Sequence, residues 1–242
     1  MTKGDDMWDA EIEQVVARAT DANRHIEMVT GQLSHYTLEN PTERSVLAIA
    51  LLKASIDIAA AATRLLMLDP IQYGGAAEAM FRPQLERYLR AIYFGSPKLS
   101  TEAQFKAFVE DDKIAIQFDD LAKAVGNEVL AQFGKTDLSP GQRFADILIL
   151  EKRDLHGSVH GGKMVALRYM NDGVAYDPTV LAKAPFVESM TLLALMAWSQ
   201  TVHMMGAKFA IATPEFTAEL ATISPDWKAA LEAAQSEPEE GL

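Results

Sequence analysis

Cysteine is absent from the 242-residue chain. Disulfides, thiolate metal sites and cysteine nucleophiles are excluded together, and the composition fits a reducing compartment. Basic residues are scarce beside acidic ones, 22 against 34, for a net charge of −12. Loose association with nucleic acid or an anionic lipid surface draws on clustered Lys and Arg, so this balance disfavours both. Also missing are a Gly-rich phosphate loop, a Gly-x-Ser-x-Gly elbow and a His-Glu-x-x-His zinc helix, and nothing in the sequence calls for a metal or a cofactor. Long uninterrupted apolar runs are lacking too. The most apolar segment, Ser189–Ile211, includes Ser189, Thr191, Ser199, Gln200, Thr201, His203 and Lys208. A membrane span needs about 20 mostly apolar residues, so this segment reads as a buried helix and no membrane association is expected. The opening Met1-Thr2-Lys3-Gly4-Asp5-Asp6 is polar and acidic, unlike a signal peptide, and the expected location is cytoplasmic.

What is present is helical periodicity. Trp8, Ile12, Val15, Val16, Ala19, Ile26, Val29 and Leu33 recur at steps of mostly three and four, the pattern of a long amphipathic helix. Asn40-Pro41-Thr42-Glu43 reads as the start of a second helix, with Asn40 capping and Pro41 in the first helical position, and Asp69-Pro70 stops it. A third helix is expected over roughly 75–94. Its Pro83 either starts a fresh helix or kinks a continuous one, because proline lacks an N–H and crowds the preceding turn. Shorter helices follow near 101–116 and 119–133, another begins about Gln142, and a long apolar one restarts at Pro185 and runs to about Ile211. Asn171-Asp172-Gly173 signals a turn, with Val174-Ala175-Tyr176 at most a brief extended piece. No repeat or linker interrupts the series. The expectation is an all-α protein, a single-domain multi-helix bundle over residues 1–235, followed by a flexible acidic tail over 236–242.

Charge is not evenly spread. Residues 82–98 hold Arg82, Arg87, Arg90 and Lys98 against Glu86, and residues 143–170 hold five basic side chains against three acidic ones, so both are net positive in an acidic chain. An anionic ligand would bind near these two segments. In the first, Arg82, Glu86 and Arg90 follow at four-residue steps and share one helix face. They form either a surface ion-pair ladder, worth a few tenths of a kcal/mol per pair, or a positioned polar row within the bundle, since Leu85, Leu89, Ile92 and Phe94 make this an apolar helix. In the second, Arg153, His156 and His160 are spaced i, i+3, i+7 and project together if the helix persists. An Arg with two His on one stripe can hold a phosphate and exchange a proton near neutral pH. The competing reading is a capped helix end, with His and Gly as ordinary C-terminal residues. Asp111-Asp112 and Asp119-Asp120 read as solvated charge, and His25, His35 and His203 as isolated residues.

The words Phe81-Arg82-Pro83-Gln84-Leu85-Glu86-Arg87-Tyr88-Leu89-Arg90-Ala91 and Leu155-His156-Gly157-Ser158-Val159-His160-Gly161-Gly162 resemble bacterial helical families with an Arg-Pro-x-x-Glu-x-x-x-Arg helix and a downstream His-Gly-Gly helix. These are similar to the HEPN superfamily (higher eukaryotes and prokaryotes nucleotide-binding), whose active members are often metal-independent ribonucleases in toxin–antitoxin and phage-defence systems. The resemblance spans roughly residues 47–198. It implies a HEPN-like bundle in which Arg153-Asp154 and His160 match the superfamily's Arg-polar…His motif. His160 would be the general acid or base on a ribose 2′-hydroxyl, and Arg153 would stabilise charge on phosphorus. Arg82, Glu86, Arg90 and His156 would bind. The resemblance further implies a homodimer, an RNA substrate and an antitoxin or other partner protein. The alternative is a non-catalytic helical module that binds a partner protein or a small anionic ligand.

Overall fold

The computed structural model describes residues 9–33, 38, 40–114, 116–133, 140–150 and 186–205. Their helices are α1 (Asp9–Leu33), α2 (Glu43–Leu68), α3 (Pro70–Ala79), α4 (Phe81–Gly95), α5 (Glu102–Asp111), α6 (Phe118–Phe133), α7 (Pro140–Leu150) and α8 (Phe186–Met204). The described part is 88% helical with no strand, which makes the protein an all-α bundle. The turn expected near Asn171–Tyr176 and the acidic tail lie outside the described residues.

Local chemistry sets the helix ends. The second helix starts later than the sequence suggests, because Thr42 and not Asn40 caps it. The Thr42 hydroxyl accepts from the Ser45 backbone N–H, and the Ser45 side chain accepts from the Thr42 N–H, which closes a capping box. Asn40 instead takes a left-handed conformation (φ 51°) and Pro41 stands outside the helix. Asp69 ends α2 and caps α3 at once, its carboxylate accepting from the backbone of Ile71 and Gln72 at 2.9 Å, with Pro70 in the first turn. Of the two outcomes open at Pro83, a fresh helix is the one that forms, and the helix before it begins at Pro70 rather than near Gly75. Pro83 has no N–H to offer the carbonyl four residues back, so α3 ends at Ala79 and α4 begins again at Phe81. Helix α5 stops at Asp111 rather than near Ile116, because Asp112 turns left-handed (φ 51°), a conformation that Asp tolerates better than most residues.

Packing then arranges the helices. Helix α2 lies against α1, α3, α4 and α8, α6 pairs with α7, and α4 also meets α6. Val15, Ala19, Ala22, Ile26, Val29 and Leu33 give α1 its buried stripe. Leu52, Ile56, Ala59, Ala62 and Leu66 supply the α2 side of the same core, and Phe81, Leu85, Leu89 and Ile92 the α4 side. Phe186 through Val202 of α8 is buried apart from Glu188, whose carboxylate accepts at 2.7 Å from Arg18 Nε of α1. Of the segment read as a buried helix, residues 189–202 are buried, His203 is exposed, and 206–211 lie outside the described residues. Among the described residues, α2 is the one helix long and apolar enough to cross a membrane by length and composition, with 44% of its most apolar window buried. Arg44 fastens its first turn, donating to the Phe94 carbonyl at 2.7 Å and the Ser100 hydroxyl at 2.8 Å, with its guanidinium over the Phe105 ring.

The approach of α2 to α4 is set by small residues. A Cβ added at Gly95 would lie 2.9 Å from the Cβ of Ala48, an atom with no rotamer to escape through. Gly95→Ala is expected to destabilise the protein by about 1–2 kcal/mol through overpacking. Ala48→Gly should recover part of that loss in the double variant. Additive losses in a denaturant-based double-mutant cycle would show that the two positions do not touch.

Candidate functional site

The polar row sits on α4, a helix otherwise committed to the core. Arg82 Nε donates to one Glu86 oxygen at 2.8 Å, and Arg90 Nη2 donates to the other at 2.8 Å. One carboxylate thus serves two guanidinium groups in an i,i+4,i+8 series. The row grades from inside to outside. The Arg82 side chain is 9% exposed, while those of Glu86 and Arg90 are 29% and 28% exposed. The Arg82 guanidinium carbon lies 3.3 Å from the centroid of the Phe118 ring at the start of α6, a cation–π contact across the α4–α6 joint. Both readings open at the sequence level have a part in what is observed. The i,i+4 pairs form a ladder whose Glu86 and Arg90 are partly solvated, while its inner member, Arg82, is buried against the partly buried Phe118 ring.

Arg87, between the row's members, turns back to donate to the Pro83 carbonyl at 3.1 Å. Among the described residues, Arg90 has no partner besides Glu86, and its Nε is buried without an acceptor. The row therefore presents one partly exposed guanidinium with unused donors at the outer end of a fixed ion-pair series.

Arg153, His156 and His160 lie outside the described residues; Arg153 follows the end of α7 by three positions in sequence. His25 is buried on α1 and His203 is exposed on α8, while His35 also lies outside the described residues. Asp111, Asp112, Asp119 and Asp120 are exposed, as solvated charge should be. Among the described residues no group of three or more His, Asp or Glu is placed to hold a metal ion.

Two residues that the sequence reading passed over stand out on the opposite face of α4. Gln84 and Tyr88 are both completely buried. The Gln84 amide nitrogen donates to the Met190 carbonyl of α8 at 2.8 Å, and its backbone carbonyl accepts from the Ser55 hydroxyl of α2 at 3.1 Å. The Tyr88 ring packs on Phe144 of α7 with centroids 5.3 Å apart. Burial raises the Tyr88 hydroxyl above the ordinary tyrosine range, so it stays protonated. The signal available in the sequence was the i,i+4 spacing of two polar-tipped residues beside Leu85 and Leu89.

No family model, curated protein or solved structure matches this chain.

Proposed function

We propose that this chain is a HEPN-like helical module that binds an anionic, phosphate-bearing ligand at the outer end of the α4 polar row. The observation that carries the reading is the shared carboxylate. Glu86 divides its two oxygens between Arg82 and Arg90, so Arg90 is oriented by a single bond and keeps donors for an incoming anion. Guanidinium groups fixed this way bind phosphate oxygens with two parallel N–H donors and lose little side-chain entropy on binding. The overall charge of −12 argues for a small anionic ligand or a defined group on a partner over extended, unspecific contact with a polyanion.

A second reading, a metal-independent ribonuclease or toxin-type effector, is favoured by the spacing of Arg153 and His160. One group would move a proton while the other holds charge developing on phosphorus. A homodimer and an antitoxin-like partner belong to that reading.

One set of measurements separates the two. Pyrophosphate should raise the melting temperature of the wild type and leave that of Arg90→Ala unchanged, with the effect fading as salt rises. No stabilisation of the wild type, or equal stabilisation of both proteins, would reject the anion site. Incubation with single-stranded and structured RNA in the presence of EDTA tests the enzyme. Products ending in 2′,3′-cyclic phosphate, lost in Arg153→Ala and His160→Ala but retained in His156→Ala, would establish the ribonuclease. Intact RNA, or equal cleavage by His160→Ala, would reject it.

A further inference from the structure

Helix α2 carries an apolar stripe that the bundle leaves partly open. Leu51, Ile58 and Leu65 recur every seven residues, and so do Ala54, Ala61 and Leu68, three positions further on. With about 100° between successive residues, the two rows lie side by side, roughly 150° around the axis from the buried row of Leu52, Ile56, Ala59 and Leu66. Leu51, Ile58 and Leu65 pack against the core along one flank and are partly buried, as are Ala54 and Ala61, while Leu68 is 71% exposed. No charged residue interrupts the stripe. Two apolar rows with a seven-residue repeat, offset by three, are the pattern by which one helix seats its side chains between those of another. A continuous apolar strip left open on a surface marks a place where something docks.

The charges that border the stripe select its occupant. Asp57 and Arg64 are both exposed and stand two turns apart on one flank, beside the row of Ala54, Ala61 and Leu68. Arg64 donates to Glu27 of α1 at 3.1 Å, yet its side chain is 62% exposed and keeps further donors. A second α2 can be laid antiparallel on the first about a twofold axis that passes between Ala59 and Ala60. Asp57 of each copy then faces Arg64 of the other, a single contact made twice. The same axis sets Ile58 opposite the partner's Ala61, Leu65 opposite the partner's Ala54, and Leu51 opposite the partner's Leu68. In the central layers a large side chain meets a small one, so the helices can approach closely, and the exposed Leu68 is covered at both ends. Parallel pairing does neither. It sets alanine against alanine, and it turns Asp57 toward the flank where Ser55 and Ala62 are already buried.

We infer that the open face of α2 docks a second copy of this chain, the two α2 helices running antiparallel with the Asp57–Arg64 pair formed twice. A different protein on this face would require no such self-complementarity of charge and size. The surface shares no residue with the Arg82–Glu86–Arg90 row, and neither anion binding nor RNA cleavage is needed for it. Loss of the dimer and loss of the anion site are therefore separate results.

Sedimentation equilibrium of the full chain measures the association, with circular dichroism to check that each variant stays folded. The wild type should be a dimer of the 26.5 kDa chain, with a dissociation constant on the order of micromolar. Asp57→Arg sets two arginines face to face, and Arg64→Asp sets two aspartates face to face. Each should raise the dissociation constant about tenfold or more. The double reversal, Asp57→Arg with Arg64→Asp, restores opposite charges and should return it to within about threefold of the wild type. Leu68→Glu changes an exposed side chain and should give a folded monomer. All three positions are exposed, so none of these changes disturbs the core. A monomeric wild type would overturn the inference, and so would single reversals that leave the dimer unchanged. A double reversal that associates no better than the single ones would overturn the antiparallel pairing. A wild type that stays monomeric and sediments with phosphatidylcholine vesicles would assign the stripe to a lipid surface instead.

Discussion

Phe144→Ala is expected to cost about 3–5 kcal/mol of stability, the range for truncating a fully buried phenylalanine. The Phe144 side chain is among the largest that are completely buried, and its ring meets Tyr88 at an interplanar angle of 52°. Helix α7 leans chiefly on α6 and, less extensively, on α8, so this ring is a principal link between α7 and α4. Its loss would leave a cavity beside Tyr88, walled by helices that cannot collapse independently. The matching fall in melting temperature is about 10 °C for a chain of this size. Phe144→Leu, which keeps most of the volume, should lose well under half as much. Urea unfolding followed by circular dichroism measures both variants. A loss below about 1 kcal/mol for the alanine variant would mean that the ring is not seated against α4.

Glu86→Ala is the next largest expected loss, about 2 kcal/mol, reduced from the range for a fully buried pair because Glu86 and Arg90 are partly solvated. The cost falls unequally on the two arginines. Arg82 is the buried one and loses the acceptor 2.8 Å from its Nε, while Arg90 can turn to water. Arg90→Ala should therefore cost well under 1 kcal/mol. Glu86→Gln should resemble Glu86→Ala more than wild type, since a neutral amide offers only one acceptor to two cations. A Glu86→Ala protein as stable as wild type would return the row to a solvated ladder. The row differs in this from the Asn23, Glu27 and Arg64 group that joins α1 to α2. There the buried Asn23 amide and the exposed Arg64 guanidinium hold the exposed Glu27 carboxyl below its ordinary range.

Much of the fold was legible in the chain because its causes are local. The step of three and four in α1, the Asp69-Pro70 boundary and the absence of a strand pattern each follow from backbone geometry and side-chain periodicity within a few residues. Where two local signals competed, the sequence could not choose between them. Asn40 and Thr42 are both good caps, and only the hydroxyl that reached the Ser45 N–H won. Pro83 permitted either a kink or a restart, and the packing of Phe81 and Leu85 into the core accompanies the restart.

For the candidate sites the division is sharper. The sequence alone placed Arg82, Glu86 and Arg90 on one helix face, since spacing by four is enough for that. It also placed Arg153, His156 and His160 on one stripe, and that expectation still rests on sequence. Whether the first row was solvated depended on α6, a segment more than twenty-five residues further along the chain that brings Phe118 against Arg82. That Gln84 and Tyr88 are buried depended on α7 and α8, the latter supplying the Met190 carbonyl from 106 residues away. Periodicity tells which residues share a face of a helix. Only the tertiary structure decides what that face meets, because burial and the loss of hydrogen-bond partners come from segments that are distant in the chain.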